Sequence, residues 1–152
     1  MSLQPLKILV LLMVLVVPSW ADDEFLDPED AFRFSASLVS PGMFEVRYVI
    51  ADGYYMYLDR FRFDVEPHGI VLGTPRFPAG QWHEDEFFGR SQVFRGQVII
   101  GIPIVSGADV SGTIRLIAVS QGCADAGICY LPTEQTKDFE LIGSLGAPSL
   151  TR

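Results

Sequence analysis

The sequence predicts an all-β fold, an immunoglobulin-like β-sandwich, on three observations. Apolar and polar residues alternate at period two over many short runs, turn residues separate the runs, and no stretch carries helical periodicity of useful length. The first run is Phe32 to Val39, in which Phe32, Phe34, Ala36 and Leu38 share one face and Arg33, Ser35 and Ser37 the other. Ser40-Pro41-Gly42 supplies turn chemistry. Met43 to Ile50 alternates again, with Phe44, Val46, Tyr48 and Ile50 opposite Glu45 and Arg47. Asp52-Gly53 interrupts, and Tyr54 to Phe63 resumes with Phe61 and Phe63 against Arg60 and Arg62. From Glu66 to Gly89 the chain is rich in Pro and Gly, which predicts a weak strand near Ile70 followed by a long loop. Strands return at Val98 to Val105 and Thr113 to Val119, and a last short one is predicted near Phe139 to Ile142.

The first residues read as an address. Lys7 precedes an unbroken apolar run from Ile8 to Val17, and small residues follow at Ser19 and Ala21, the pattern of a secretory signal (1–21) cleaved after Ala21. The run is about half the ~20 residues a spanning helix needs, so no permanent anchor is expected. No cysteine follows it to carry a lipid. A single domain is expected over 22–143, with a flexible tail over 144–152.

The net charge is −8, and a leader containing Lys7 and no acid leaves the remainder more acidic still. Such a chain is soluble, is poorly matched to nucleic acid or anionic lipid, and is expected to have no nucleic-acid partner.

Export changes how the two cysteines read. Outside the cytosol an even count predicts a disulfide, here between Cys123 and Cys129. Five residues separate them, Gly127 among them, so the bridge closes a local loop rather than joining two sheets. One reading is a loop staple, worth ~2.4 kcal/mol in the chain-entropy model. It belongs with a secreted sandwich that acts as a binding module. The other is redox exchange, since a short disulfide on a surface loop is accessible and more easily reduced than a buried bridge. Spacing leaves both open.

Three motifs decide between them by resemblance. Gln121-Gly122-Cys123-Ala124-Asp125-Ala126-Gly127 followed by Cys129-Tyr130 resembles the active-site loop of the N-terminal periplasmic (alpha) domain of the DsbD thiol:disulfide interchange family. Asp52-Gly53-Tyr54-Tyr55-Met56-Tyr57 is similar to that domain's Asp-Gly-Tyr-Tyr strand, and Trp82-His83-Glu84-Asp85-Glu86-Phe87-Phe88-Gly89 to its cap loop. The resemblance implies an immunoglobulin-like domain that takes electrons from a membrane-embedded partner. It would hand them to periplasmic thioredoxin-fold proteins, such as disulfide isomerases and the reductant of cytochrome c maturation. It implies catalytic Cys123 and Cys129, with Cys129 forming the mixed disulfide and Cys123 resolving it. Thiol exchange itself needs no cofactor.

By the same resemblance Phe87, with Phe88 beside it, covers the cysteines. Asp85 and Glu86, if near the sulfurs, would raise the thiol pKa. Tyr55 and Tyr57 lie on one side of a strand and match residues near the cysteines, with packing the larger part of their work. Two positions depart from the family. Leu131 precedes Pro132 where Cys-Tyr-Pro-Pro is usual, which loosens the loop exit, and Ile128 stands where an aromatic residue is common. The family's membrane and thioredoxin-like domains do not follow, so the electron donor is expected on a separate chain. Metal binding is disfavoured: His68, His83, Glu84, Asp85, Glu86 and the cysteines show no tight ligand spacing. Neither histidine lies in a hydrolytic nucleophile motif.

Overall fold

Alternation alone builds the central strands, because every second side chain of a β-strand points to the same face. The structure, a computed structural model, describes residues 25–40, 42–107 and 112–141; the expected leader (1–21) and tail (144–152) lie outside them. A one-turn helix, α1 (Pro28–Ala31), starts on proline, whose fixed φ suits a first helical position, and leads into β1 (Phe32–Ser40). Next come β2 (Met43–Ile50), β3 (Tyr54–Tyr57), a 3-10 turn at Leu58–Arg60, β4 (Arg62–Glu66) and β5 (Val71–Leu72). The hairpin of β6 (Gln81–Asp85) and β7 (Gly89–Phe94) follows, then β8 (Gln97–Ser106), β9 (Gly112–Ser120), β10 (Gly122–Ala124), β11 (Ile128–Cys129) and β12 (Thr133–Leu141). Among the described residues no helix is long and apolar enough to cross a membrane.

The strands form an immunoglobulin-like β-sandwich. One sheet runs β1-β2-β8-β5, and a second runs β12-β9-β4. Phe34 pairs with Tyr48, Ala36 with Val46 and Leu38 with Phe44, which keeps the apolar faces of β1 and β2 in phase. Phe44, Val46, Tyr48, Ile100 and Ile102 of the first sheet join Ile114 and Leu116 of the second in one core cluster, all fully buried. Phe44 packs on Phe139 (5.2 Å between centroids) and Tyr48 on Phe61 (5.5 Å), joining the layers.

A third sheet, β11-β10-β3-β7-β6, carries the cysteines. The chain enters it by leaving the second sheet: Ser120 still pairs with Thr133 of β12, and two residues later Gly122 pairs with Met56 of β3. Gly122 permits the crossing, since a Cβ there would collide with the Phe32 ring and the Tyr55 carbonyl oxygen.

Three expectations are corrected. The run Tyr54 to Phe63 is not one strand: it breaks at Leu58–Arg60, and its halves join different sheets. All four residues of β3 are buried, with Tyr54 and Met56 facing the main core and Tyr55 and Tyr57 facing a second cluster. The expected long loop up to Gly89 holds β6, whose Gln-Trp-His-Glu-Asp sequence shows no apolar alternation because the strand is largely solvent-facing. The last strand begins at Thr133, six residues before Phe139, in a polar stretch held by a continuous ladder on β9; Ile142 lies outside the described residues.

Candidate active site

Cys123 and Cys129 stand directly opposite each other on β10 and β11 and are joined as a disulfide. The hairpin closes through Gly127, whose φ of 91° lies in the left-handed region, with its N–H donating to the Ala124 carbonyl at 3.0 Å. Cys123 also pairs with Tyr55 of β3 and is fully buried. Cys129 is half-buried on the two-residue strand at the sheet's edge, beside exposed Ile128. The loop exit that Leu131 was expected to loosen is tied by Gln121, which donates to the Tyr130 carbonyl at 3.0 Å, and by the Tyr130 hydroxyl, which donates to the Leu26 carbonyl at 2.6 Å.

The sulfurs lie in a small cluster with Tyr55, Tyr57 and Val93, flanked by Phe88. The Tyr57 hydroxyl oxygen is 3.2 Å from Cys123 Sγ and 3.9 Å from Cys129 Sγ. A disulfide has no proton to give, and the Tyr57 proton goes to Asp85 Oδ2 at 2.6 Å. The Tyr55 hydroxyl donates to the same oxygen at 3.2 Å. Asp85 Oδ1 accepts the backbone N–H groups of Phe87 (2.9 Å) and Phe88 (2.8 Å), so one carboxylate both shapes the turn between β6 and β7 and anchors the tyrosines.

Burial pushes the Asp85 carboxyl up, but the hydrogen bonds from Tyr57, from the backbone of Phe88 and Phe87 and from Tyr55 together hold it below the ordinary carboxylate range. Burial first, then the bond to Asp85, drives the Tyr57 hydroxyl far above its usual value; Tyr55 is raised for the same leading reason. At neutral pH the site is therefore an ionised carboxylate holding two protonated phenols against a disulfide.

The structure gathers Tyr55, Tyr57, Asp85 and Phe88 around the cysteines. The Phe88 ring lies edge-on to Tyr57 at 4.8 Å, with the Arg60 guanidinium over it, 4.1 Å from its centroid. Phe87 is 43% exposed and, with Glu86, rims a shallow groove of about 280 Å³ over Tyr55 and Asp85. Sequence reasoning did not assign His83, Arg95 or Asp125 to the redox site. His83 Nε2 is 3.7 Å from Asp85 Oδ2, and its ring lies 4.4 Å from that of Tyr55. Its spacing of two from Asp85 on β6 was a usable signal, because it puts both on one face. Arg95 carried none.

A family model described as thiol:disulfide interchange protein DsbD, N-terminal, matches residues 22–141. The chain is 37% identical over 157 aligned residues to thiol:disulfide interchange protein DsbD 2 of Pseudomonas aeruginosa, covering 93% of this chain and 25% of that protein. It is 34% identical to the DsbD of Ralstonia nicotianae, covering 93% and 23%. It thus spans about a quarter of the length of these curated relatives. Among solved structures it is similar to the reduced DsbD N-terminal domain of Neisseria meningitidis, with 36% identity, a TM-score of 0.69, and coverage of 78% of this chain and 91% of that one. It is also similar to the structure of the complex between the DsbD and PilB N-terminal domains of the same organism, with 35% identity, a TM-score of 0.63, and coverage of 85% and 96%. Agreement of this extent in both sequence and fold means that the chain belongs to the family of the N-terminal domain of the thiol:disulfide interchange protein DsbD.

Proposed function

We propose that this chain is a periplasmic thiol–disulfide relay, a protein-disulfide reductase working through Cys123 and Cys129. The observation that carries the proposal is the unequal burial of one disulfide: Cys123 is fully enclosed, while Cys129 is half-open at a sheet edge. A thiolate arriving from outside reaches Cys129 Sγ first. Its attack forms the mixed disulfide and breaks the Cys123–Cys129 bond, and Cys123 leaves as a thiolate that takes up a proton. A second donor thiol then releases the domain as a dithiol, two electrons and two protons richer. In the delivering direction the Cys129 thiolate attacks a partner disulfide, and Cys123 then attacks Cys129 Sγ, which frees the reduced partner and restores the bridge.

Electrons come from a membrane donor of the DsbD type and pass to thioredoxin-fold proteins such as disulfide isomerases and the reductant of cytochrome c maturation. The family assignment supports this reading, and so does the neighbouring DsbD domain found in complex with the PilB N-terminal domain. The leader over 1–21 exports the chain, 22–143 forms the redox domain, and 144–152 is a tail. Tyr55, Tyr57 and Asp85 tune the thiols, while Glu86, Phe87 and Phe88 cap them, with Phe88 bearing on Tyr57.

Trapping tests the roles. Cys123→Ser removes the resolving thiol, so it is expected to accumulate a reductant-sensitive adduct with a thioredoxin-fold protein through Cys129, and Cys129→Ser to accumulate far less. Equal trapping would overturn the role assignment and keep the exchange chemistry. Normal folding with no trapping by either variant, together with a strongly reducing potential for the native pair, would leave the bridge a structural staple.

A further inference from the structure

One more charged contact reaches the cysteine hairpin. Asp125, on the turn between β10 and β11, accepts two hydrogen bonds from Arg95, Nη2 to Oδ1 at 2.7 Å and Nη1 to Oδ2 at 2.9 Å. Its backbone N–H donates to the Gly53 carbonyl at 2.8 Å. The same guanidinium lies over the Tyr55 ring, 4.9 Å from the centroid, and Nη1 reaches the Tyr54 carbonyl at 3.4 Å. The Arg95 guanidinium thus lies over a ring of the cluster that also holds Tyr57 and both cysteines.

The side chains are 32% and 49% exposed, so solvent screens the pair, while its two parallel hydrogen bonds fix the guanidinium against the hairpin turn. The titratable group nearest the sulfurs is Tyr57 of β3, with Tyr55 of β3 and Asp85 of β6 bonded behind it; His83, Glu84, Glu86 and Asp125 line the adjoining groove. Asp85 is committed to the tyrosines and the β6–β7 turn. Asp125 has Arg95, whose hydrogen bonds and charge hold the carboxyl below its usual range against the opposing effect of burial.

We propose that Arg95 is a positioning residue that neutralises Asp125 at the cysteine hairpin and thereby sets how readily the reduced Cys129 thiol ionises. The proposal rests on the exchange reading given above. A thiolate beside a bare carboxylate is disfavoured, and one beside a bare guanidinium is favoured. Removing Arg95 and removing Asp125 therefore act in opposite directions, whereas loss of a purely mechanical clasp would act in one.

The test is the pH dependence of iodoacetamide alkylation at Cys129 in the reduced full chain, read by mass spectrometry. Arg95→Gln is expected to move the midpoint up and slow alkylation at pH 7 about two- to fivefold; Asp125→Asn is expected to move it down and speed alkylation by a similar factor. The double variant should lie within about twofold of the native chain, and molar salt should shrink both single effects. Arg95→Lys should restore most of the native rate by keeping the charge. Shifts of the same sign in both variants, or none in folded protein, overturn the proposal. If Arg95→Gln does not fold, Asp125→Asn and Arg95→Lys decide. The measurement needs no partner, so a failure to trap one through Cys129 would count against the relay and leave this result standing.

Discussion

At the scale of single residues, the two oxygens of Asp85 have separate tasks: Oδ1 closes the turn through Phe87 and Phe88, and Oδ2 takes both tyrosine hydroxyls. Asp85→Asn keeps an acceptor for the turn and removes the charge that Tyr57 points at. The expected loss is about 1.5 kcal/mol at pH 7. Its pH dependence has a definite sign. The folded-state pKa is depressed, so the stabilisation is complete above the unfolded value and is lost as pH falls through the folded one. Urea unfolding with the disulfide intact should show a constant gap between native chain and variant from pH 7 to about 5, narrowing below about pH 4. A gap unchanged at pH 3 would mean that the charge of Asp85 contributes nothing. The motif resemblance picks out Asp85, Tyr55 and Tyr57 in the sequence. The division of one carboxylate between a turn and two phenols was not legible there, because it requires β6 and β3 to share a sheet.

At the scale of elements, the hairpin of β6 and β7 brings the cap to the sulfurs. Its outer face is open to solvent, with the Arg90 guanidinium 4.7 Å over the ring of Trp82, which is 62% exposed. Its turn presents two adjacent phenylalanines to different surroundings: Phe88 packs on Tyr57, and Phe87 faces outward over the groove. Phe88→Ala removes the ring that covers Tyr57 and should speed dithiothreitol reduction of the disulfide about tenfold, while costing ~2–3 kcal/mol of stability from a half-buried position. Phe87→Ala should speed reduction by less and cost under ~1 kcal/mol. Stopped-flow reduction separates the two variants, and rates equal to that of the native chain would mean that neither ring limits access. Periodicity does not reveal this hairpin because β6 buries little of its surface, and the cap motif carries no signal of the strands that hold it.

At the scale of the molecule, two apolar clusters lie on opposite faces of β3. Tyr54 and Met56 belong to the sandwich core, Tyr55 and Tyr57 to the cysteine cluster. Damage to one should therefore leave the chemistry of the other intact. Leu116→Ala, at a fully buried position in the core, should cost about 3 kcal/mol while Cys129 alkylation and the reduction potential stay at native values in folded protein. A changed potential would show that core packing is transmitted through β3 to the sulfurs.

The fold class, the strands β1, β2, β8 and β9 and the Cys123–Cys129 pairing are legible in the chain alone. Each rests on information local to the chain: alternation along a strand, turn residues between strands, and two cysteines one short hairpin apart. The split of β3 from β4, the β6–β7 hairpin, the length of β12 and the Arg95–Asp125 contact emerge only when the chain folds. Those depend on partners distant in sequence. A strand buried on both faces has no alternation to read, a polar strand is held by its neighbour's hydrogen bonds rather than by its own pattern, and a contact across 30 residues leaves no trace in spacing.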